Sequence, residues 1–246
     1  MSLLFNGINQ YGQFQNENMA LTNGAIGIWY HYQAGPNDLN YLLSTGGLSS
    51  STVNIWYSSG GNNAGTISLH RGSTFGNKLT MPNDFKSGST PFLIIWELSA
   101  SNNYLWFCKA GGSAVRQYCG SASGLAGDAN WNLMRRGDGN ANRYASGVLN
   151  QFFKITTTTV TPLTEQQVEN LANELDQPQN LNNADIVFLF DEGAGTTATD
   201  VIRNEVMTLH GSPLWQGGAP AQVPQGQVTF GSIFTTSSCC GVYRII

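Results

Sequence analysis

The stretch DIVFLFDEGAGTTATDVIRN, residues 185–204, decides how the chain is read. Ile186, Phe188 and Phe190 alternate with Val187 and Leu189, which is the side-chain period of a β-strand. The strand runs into an acidic pair, a Gly-rich turn and then Thr-Ala-Thr-Asp. This has the form of the opening of a domain, yet only 42 residues follow Asn204. A chain with room for a whole domain before residue 185 therefore begins something that it has no length left to finish.

At 246 residues the chain is long for one average domain and short for two, a size that all-β sandwiches reach as single units. A chain of this length buries about 70% of its unfolded surface and needs no metal or disulfide to hold it. Charged residues make up 11% of the sequence, against a usual ~25%. The surface is thus made polar by Asn, Ser, Thr, Gln and Gly. A net charge of −4 from few ionisable groups argues against nucleic-acid binding, which needs clustered Lys and Arg; Arg135-Arg136 is the one adjacent basic pair. No run of 18 apolar residues occurs, so no membrane span is expected. The opening MSLLFNGINQYGQF lacks the basic and apolar regions of a secretory leader, and cytoplasmic synthesis is the expectation. The 25 Asn residues include no Asn-x-Ser/Thr sequon, which disfavours a secreted glycoprotein.

Working outward from 185–204, the first 160 residues are interrupted every 8 to 15 residues by Gly, Asn, Ser or Pro clusters, with β-rich runs such as AIGIWYHYQ, STVNIWYS and PFLIIWELS between them. Short, regularly spaced strands indicate a sandwich or barrel. No helical period occurs before residue 160. One helix is expected in TPLTEQQVENLANELDQP, with Thr164 as N-cap, Gln167 at the capping-box position, a stripe of Val168, Leu171, Ala172 and Leu175, and Pro178 as the stop. It reads as a structural lid.

The order of these pieces resembles the concanavalin A-like lectin/glucanase superfamily, in its laminin G-like jelly-roll branch. Domains of that kind open on a strand followed by Phe-Asp-Glu-Gly-x-Gly-Thr-Thr and an Asp-containing loop, which FDEGAGTTATD at 190–200 is similar to, and LHGSPLW at 209–215 resembles the next strand and its Trp. The strand that follows in the family resembles FNGINQYGQF at 5–14, at the other end of this chain. LTNGAIGIWYHY, PFLIIWELSASNNYLWFCKAGG and GVLNQFFKITTTTVTPLTEQQVENLANEL then follow in the family's order. The resemblance implies one all-β jelly-roll sandwich with its halves in swapped order, a circular permutation over residues 1–216; residues 217–246 lie outside it and read, from their prolines and small residues, as an extended tail. Permutation is tolerated where chain ends lie close together at the surface.

The resemblance also brings expectations about chemistry. Many relatives hold calcium, for which Asp191, Glu192 and Asp200 are the candidate ligands here. The family's Asp-Ser-Ser-Gly-Asn-Gly loop is DVIRNEV, however, and its later Asp-Glu is Asn150-Gln151. Hard cations want about six oxygens, so no cofactor is expected. Glycosidase relatives need two carboxylates flanking the scissile bond. Glu97 stands alone on its strand, and Asp191 and Glu192 are adjacent and so point to opposite faces. WFCKAGG echoes one alginate-lyase motif, but its two companion motifs are missing, and no enzyme is expected. Arg136-Gly137-Asp138 reads as a charged turn.

Aromatic groups offer a binding role instead. Trp29-Tyr30-His31-Tyr32 and Trp56-Tyr57 are the densest, and alternation puts about half of each in the core. Tyr30, Tyr57 and Trp131 are the candidate glycan platforms. Cys108, Cys119, Cys239 and Cys240 lack zinc-ligand spacing and read as free thiols, or for the last two as inter-subunit bonds. The tail carries Val228, Phe230, Ile233, Phe234, Val242, Tyr243, Ile245 and Ile246, too apolar for a solvated segment. Phe230, Phe234, Cys239, Cys240 and Tyr243 are its expected assembly contacts, within a homotrimer or with other virion proteins.

The expected function is a non-enzymatic surface protein of a bacteriophage virion, a fibre, spike or decoration, with cell-surface glycans as its external partner. The alternatives are a stand-alone bacterial carbohydrate-binding module and a polysaccharide-degrading enzyme.

Overall fold

The computed structural model describes residues 2–15, 23–45, 53–71, 74–99, 102–121, 130–137, 143–156 and 163–217. Among these, strands β1 (Ser2–Asn6), β2 (Tyr11–Gln15), β3 (Gly24–Tyr32), β4 (Leu39–Ser44), β5 (Val53–Ser58), β6 (Thr66–Arg71) and β7 (Thr74–Thr80) precede a one-turn helix α1 (Asn83–Lys86). Next come β8 (Phe92–Ser99), β9 (Asn102–Lys109), β10 (Val115–Ser121), β11 (Asn130–Leu133) and β12 (Ser146–Thr156). Helix α2 (Glu165–Ala172) is followed by β13 (Ala184–Phe188), β14 (Thr197–Thr199), β15 (Val206–His210) and β16 (Leu214–Gln216).

The strands form two antiparallel sheets, a jelly-roll sandwich. One sheet runs β10-β9-β8-β3-β12-β1-β16, with β13 also paired to β12; the other runs β14-β15-β2-β11-β4-β5-β6-β7. Alternating side chains from both sheets meet between them, among them Ile26, Ile28, Trp96, Phe152 and Phe188 from the first and Phe14, Ile55, Leu69, Trp131 and Met207 from the second. The first sheet is apolar on its outer face as well, where Trp29, Leu93, Ile95, Trp106 and Phe153 pack under Leu163, Val168, Leu171 and Leu181. This explains why FLIIWELS is buried at every position. A strand with both faces covered loses the polar half of its alternation.

Residues 185–216 complete this sandwich and form no separate lobe. β15 pairs with β2 (Thr208 opposite Gln13, His210 opposite Tyr11) and β16 pairs with β1 (Ser2 opposite Gln216, Leu4 opposite Leu214). The chain passes from one sheet to the other at residues 7–10 and again at 211–213, and the two crossings lie side by side. Gln10 ties them together: its Oε1 accepts from the Asn6 amide (2.7 Å) and its Nε2 donates to the Ser212 carbonyl (2.9 Å). Two glycines let them touch. A Cβ on Gly211, which has φ +70°, would lie 2.4 Å from the Asn9 carbonyl oxygen, and one on Gly12 would lie 2.5 Å from the Met207 sulfur. Of the opening motif, Ile186, Phe188 and Phe190 face the space between the sheets, while Val187 faces the layer under α2.

The helix forms with its capping box: the Gln167 amide donates to Thr164 Oγ1 (3.3 Å) and the Thr164 amide to Gln167 Oε1 (2.9 Å). Val168, Leu171 and Ala172 are its buried stripe. Leu175 departs from the expectation. The helix ends at Ala172, Glu174 adopts a left-handed φ of 55°, and Leu175 is 67% exposed. The Asn173 side chain stops the helix by donating to the Glu169 carbonyl (2.8 Å), so Pro178 instead opens a separate 3-10 turn, Pro178–Asn180. Helix α1 has no counterpart in the sequence reading, because one turn is too short to leave a period. It exists to seat Phe85, fully buried against Tyr32, Tyr57 and Phe92. The tail candidates Phe230, Phe234, Cys239, Cys240 and Tyr243 lie outside the described residues.

Ser2 and Gln216 face each other on neighbouring antiparallel strands, so β16 and β1 make a hairpin that lacks only its turn. A chain in which Gln216 is joined to Ser2 by a short Asn-Gly turn, and opened between the exposed Leu175 and Asp176, is expected to fold. Its melt, followed by circular dichroism, should be a single cooperative transition near that of the natural chain ended at Gly217. A molten product would show that closing these two strands does not rebuild the domain.

Candidate functional site

The three aromatic residues expected to bind sugars are core residues. Tyr30, Tyr57 and Trp131 are 0%, 2% and 1% exposed. Tyr30 points between the sheets and its hydroxyl donates to the Ser146 carbonyl at 2.5 Å. Burial, and then Tyr32 and Tyr57, hold its pKa well above the usual phenol range. Tyr57 meets Tyr32 and Phe85 edge-on (4.8 and 4.9 Å), and burial pushes its pKa up to about 12. Trp131 stacks on Phe14. Alternation says that half of each aromatic group is buried but not which half. In β5 the outward residue is Trp56, which stacks on Tyr41 at 5.3 Å.

The calcium candidates do not converge either. Among the described residues no group of three or more His, Cys, Asp or Glu side chains could hold a metal ion. Asp200 is fully buried. Its Oδ1 accepts from the amides of Val187 and Ile202, and its Oδ2 from the amide of Arg203 (2.5 Å). Three backbone donors take the lone pairs a cation would need, and fix the 200–203 turn against β13. Glu192 Oε1 is held by the Thr199 amide at 2.6 Å, and Asp191 is exposed. Glu97, the solitary strand carboxylate, is likewise occupied: Trp106 Nε1 and the Arg116 guanidinium both donate to it, and it is fully buried. Cys108 and Cys119 are free and buried, and burial pushes both thiols up to about 11.

What the fold does assemble lies on the outer face of the second sheet. Thr197, Thr208, Gln13, Asn132, Ser44 and Asn54 stand opposite one another on β14, β15, β2, β11, β4 and β5, a polar row running across the strands. Gln13 Nε2 donates to Asn132 Oδ1 (3.4 Å) and Ser44 Oγ to Asn54 Oδ1 (2.5 Å). Beside this row, the Tyr11 ring is stacked on His210 (4.3 Å, 10° between planes), and the Arg135 guanidinium lies 4.2 Å from the Tyr11 ring centre. Tyr144 closes the group at 6.1 Å from Tyr11. The accessible end of the row is a cleft of about 240 Å³ lined by Gln13, Val206, Thr208 and His210. It is smaller and more polar than an ordinary small-molecule pocket, and offers the His210 imidazole, an amide, a hydroxyl and the apolar Val206.

Sequence reasoning missed this site because His210 and Tyr11 lie at opposite ends of the chain and each looks isolated. Reading LHGSPLW ahead of FNGINQYGQF would have made their strands neighbours, and the structure pairs them.

No family model and no curated sequence matches this chain. Among solved structures, it is similar to a candidate carbohydrate-binding protein from Bacteroides ovatus, with a TM-score of 0.57 and 11% identity over 87% of this chain. The alignment spans 60% of that protein's length. The heptameric SAP-like pentraxin of Limulus polyphemus gives a TM-score of 0.52 and 11% identity, over 85% of this chain and 94% of its own. Domains LG4-5 of the mouse laminin alpha1 chain give 0.45 and 10%, over 68% of this chain and 43% of theirs. At such identities the likeness is one of fold, a jelly-roll β-sandwich.

Two predictions follow from the local chemistry. Asp200→Ala removes the acceptor of three backbone amides in a buried turn, and should cost about 3 kcal/mol or more in a urea unfolding experiment; a loss below about 1 kcal/mol would mean that the turn does not need the carboxylate. Burial, and then Arg135, hold the His210 pKa below its ordinary 6.5. The unfolded chain therefore takes up this proton first as pH falls. The contribution of neutral His210 to stability is complete above about pH 6.5 and declines below it. His210→Gln should flatten that part of the stability profile, and an unchanged slope would assign it to another group.

Proposed function

We propose that this protein binds glycans without acting on them, at the cleft lined by Gln13, Val206, Thr208 and His210, as a surface component of a bacteriophage virion. The observation that carries the binding reading is the Tyr11–His210 stack beside the hydroxyl of Thr208 and the amide of Gln13. A sugar ring offers one apolar face and a rim of hydroxyls, and this arrangement has a counterpart for each. Binding without catalysis is favoured because Glu97, the carboxylate nearest in kind to a strand-borne acid, already has both oxygens engaged by Arg116 and Trp106.

The virion assignment rests on composition: a nearly neutral surface built from Asn, Ser, Thr, Gln and Gly, at 11% charged residues. In this reading residues 1–216 are a circularly permuted jelly roll made in the host cytoplasm, and residues 217–246 hold copies together in a trimer or against an underlying virion protein. Eight sizeable apolar side chains in the tail would each contribute ~1.5–3 kcal/mol when buried, which offsets the ordering of an extended segment only if a surface receives them. The second reading is a bacterial carbohydrate-binding module. It is favoured by the likeness in fold to the candidate carbohydrate-binding protein of Bacteroides ovatus, only 60% of whose length is spanned.

The test is a glycan array with the full chain and with Thr208→Trp, which fills the cleft from an exposed position. The wild type should retain at least one class of glycan, and the variant should lose about tenfold or more in affinity with an unchanged melting temperature. Equal binding by both would move the site elsewhere. Sedimentation of the chain ended at Gly217 separates the assembly role: a folded monomer is expected where the full chain is oligomeric. An unfolded truncation would make the tail part of the core.

A further inference from the structure

We propose that the cleft selects an anionic glycan, one carrying a carboxylate or a sulfate, with Arg135 supplying the attraction; this rests on the glycan-binding reading of the same cleft. The chain has 11 Lys and Arg residues in 246, and three of them, Arg135, Arg136 and Arg143, fall within nine positions at the end of β11. The Arg136 amide donates to the Arg143 carbonyl (2.9 Å) and Arg135 bridges to Tyr144, so the three arise from the two arms of one turn.

Arg135 is the informative member. The ion pairs of the described residues join Lys109 to Asp84, Arg116 to Glu97, and both Lys154 and Arg203 to Asp185. Arg135 takes part in none of them. Its guanidinium rests on the rings of Tyr11 and Tyr144 (4.2 and 5.8 Å), and its buried Nε has no acceptor among the described residues. A cation held on an aromatic face keeps its charge while losing part of its water.

The charge acts on the cleft through one ring. Arg135 lies 4.2 Å from the centre of Tyr11, whose ring is stacked on His210, a wall of the cleft. The lining residues Gln13, Val206, Thr208 and His210 include no carboxylate to oppose it. An anion in the cleft would sit roughly one Debye length from the guanidinium at physiological salt. At that distance a single screened charge changes affinity by about 1.5- to 4-fold, depending on the local dielectric.

The experiment titrates the full chain with glucuronate-, galacturonate- and sialate-containing oligosaccharides, with sulfated ones, and with the carboxyl-reduced form of each sugar acid. Arg135→Gln and Arg135→Lys are measured alongside, with a thermal melt of each as the folding control. The expected result is tighter binding of an acidic form than of its reduced, neutral counterpart, by about 1.5- to 4-fold. That preference should shrink in about 1 M salt, vanish in Arg135→Gln whatever happens to neutral-sugar binding, and persist in Arg135→Lys. Preference for a carboxylate or for a sulfate identifies which anion is read. Equal binding of acidic and reduced forms by the wild type, or a preference that survives in a folded Arg135→Gln, overturns the anionic assignment and leaves the cleft as a neutral-sugar site. Failure of the wild type to bind either form overturns the glycan reading itself.

Discussion

The pairing of β2 with β15 and of β1 with β16 is the constraint on which the rest of the molecule depends. Without residues 206–216, β1 and β2 would each present an edge of unpaired amides and carbonyls, one in each sheet. The Gln10 side chain, bonded to the Asn6 amide and to the Ser212 carbonyl 202 residues away, fixes the register of both pairings at once. A one-residue slip would turn Met207 and Leu209 out of the core and Thr208 and His210 into it. The cost of closing so long a loop grows only slowly with its length, whereas folding dominated by such distant pairings is slow.

The two sheets differ in what covers them, and that difference locates the site. The first sheet has an apolar layer on its outer face beneath α2, locked down where Glu169 Oε1 accepts from the Ala114 amide (3.1 Å) and Asn173 Oδ1 from the Gly111 amide (2.6 Å). The second sheet carries the polar row on its outer face, with Thr208 exposed and Gln13 half-buried at one end. The exposed polar end of that row is on the second sheet, whereas Asn132, Ser44 and Asn54 further along it are buried. Because β15 lies next to β2, the same pairing that completes the fold also sets His210 against Tyr11.

Much of this was legible in the residues. The strand period, the turn clusters, the capping box at Thr164 and Gln167, and the all-β sandwich all reflect local chemistry or an ordered set of motifs. What was not legible depends on faces and on partners distant in sequence. Tyr57 and Trp56 are neighbours of equal apolarity, and only the position of the other sheet turns Tyr57 inward. Leu175 continues the period of the helix, but the Asn173 side chain ends the helix first. Asp200 has the composition of a calcium ligand, yet the 200–203 turn supplies three amides that occupy it. The stack of His210, Tyr11 and Arg135 joins three strands' ends and has no local pattern to betray it.

Native-state hydrogen exchange tests the central claim, that residues 185–216 are an integral part of one cooperative sandwich. Amides of Gln13 and Thr208, paired across β2 and β15, and of Val187, bonded to Asp200 in β13, should exchange only through global unfolding. Their opening free energy should equal that of Ile28 and Ile94, paired in the centre of the other sheet. Loss of protection at Thr208 and Val187 at a lower denaturant concentration, with Ile28 and Ile94 still protected, would contradict it and make the C-terminal strands an appended unit.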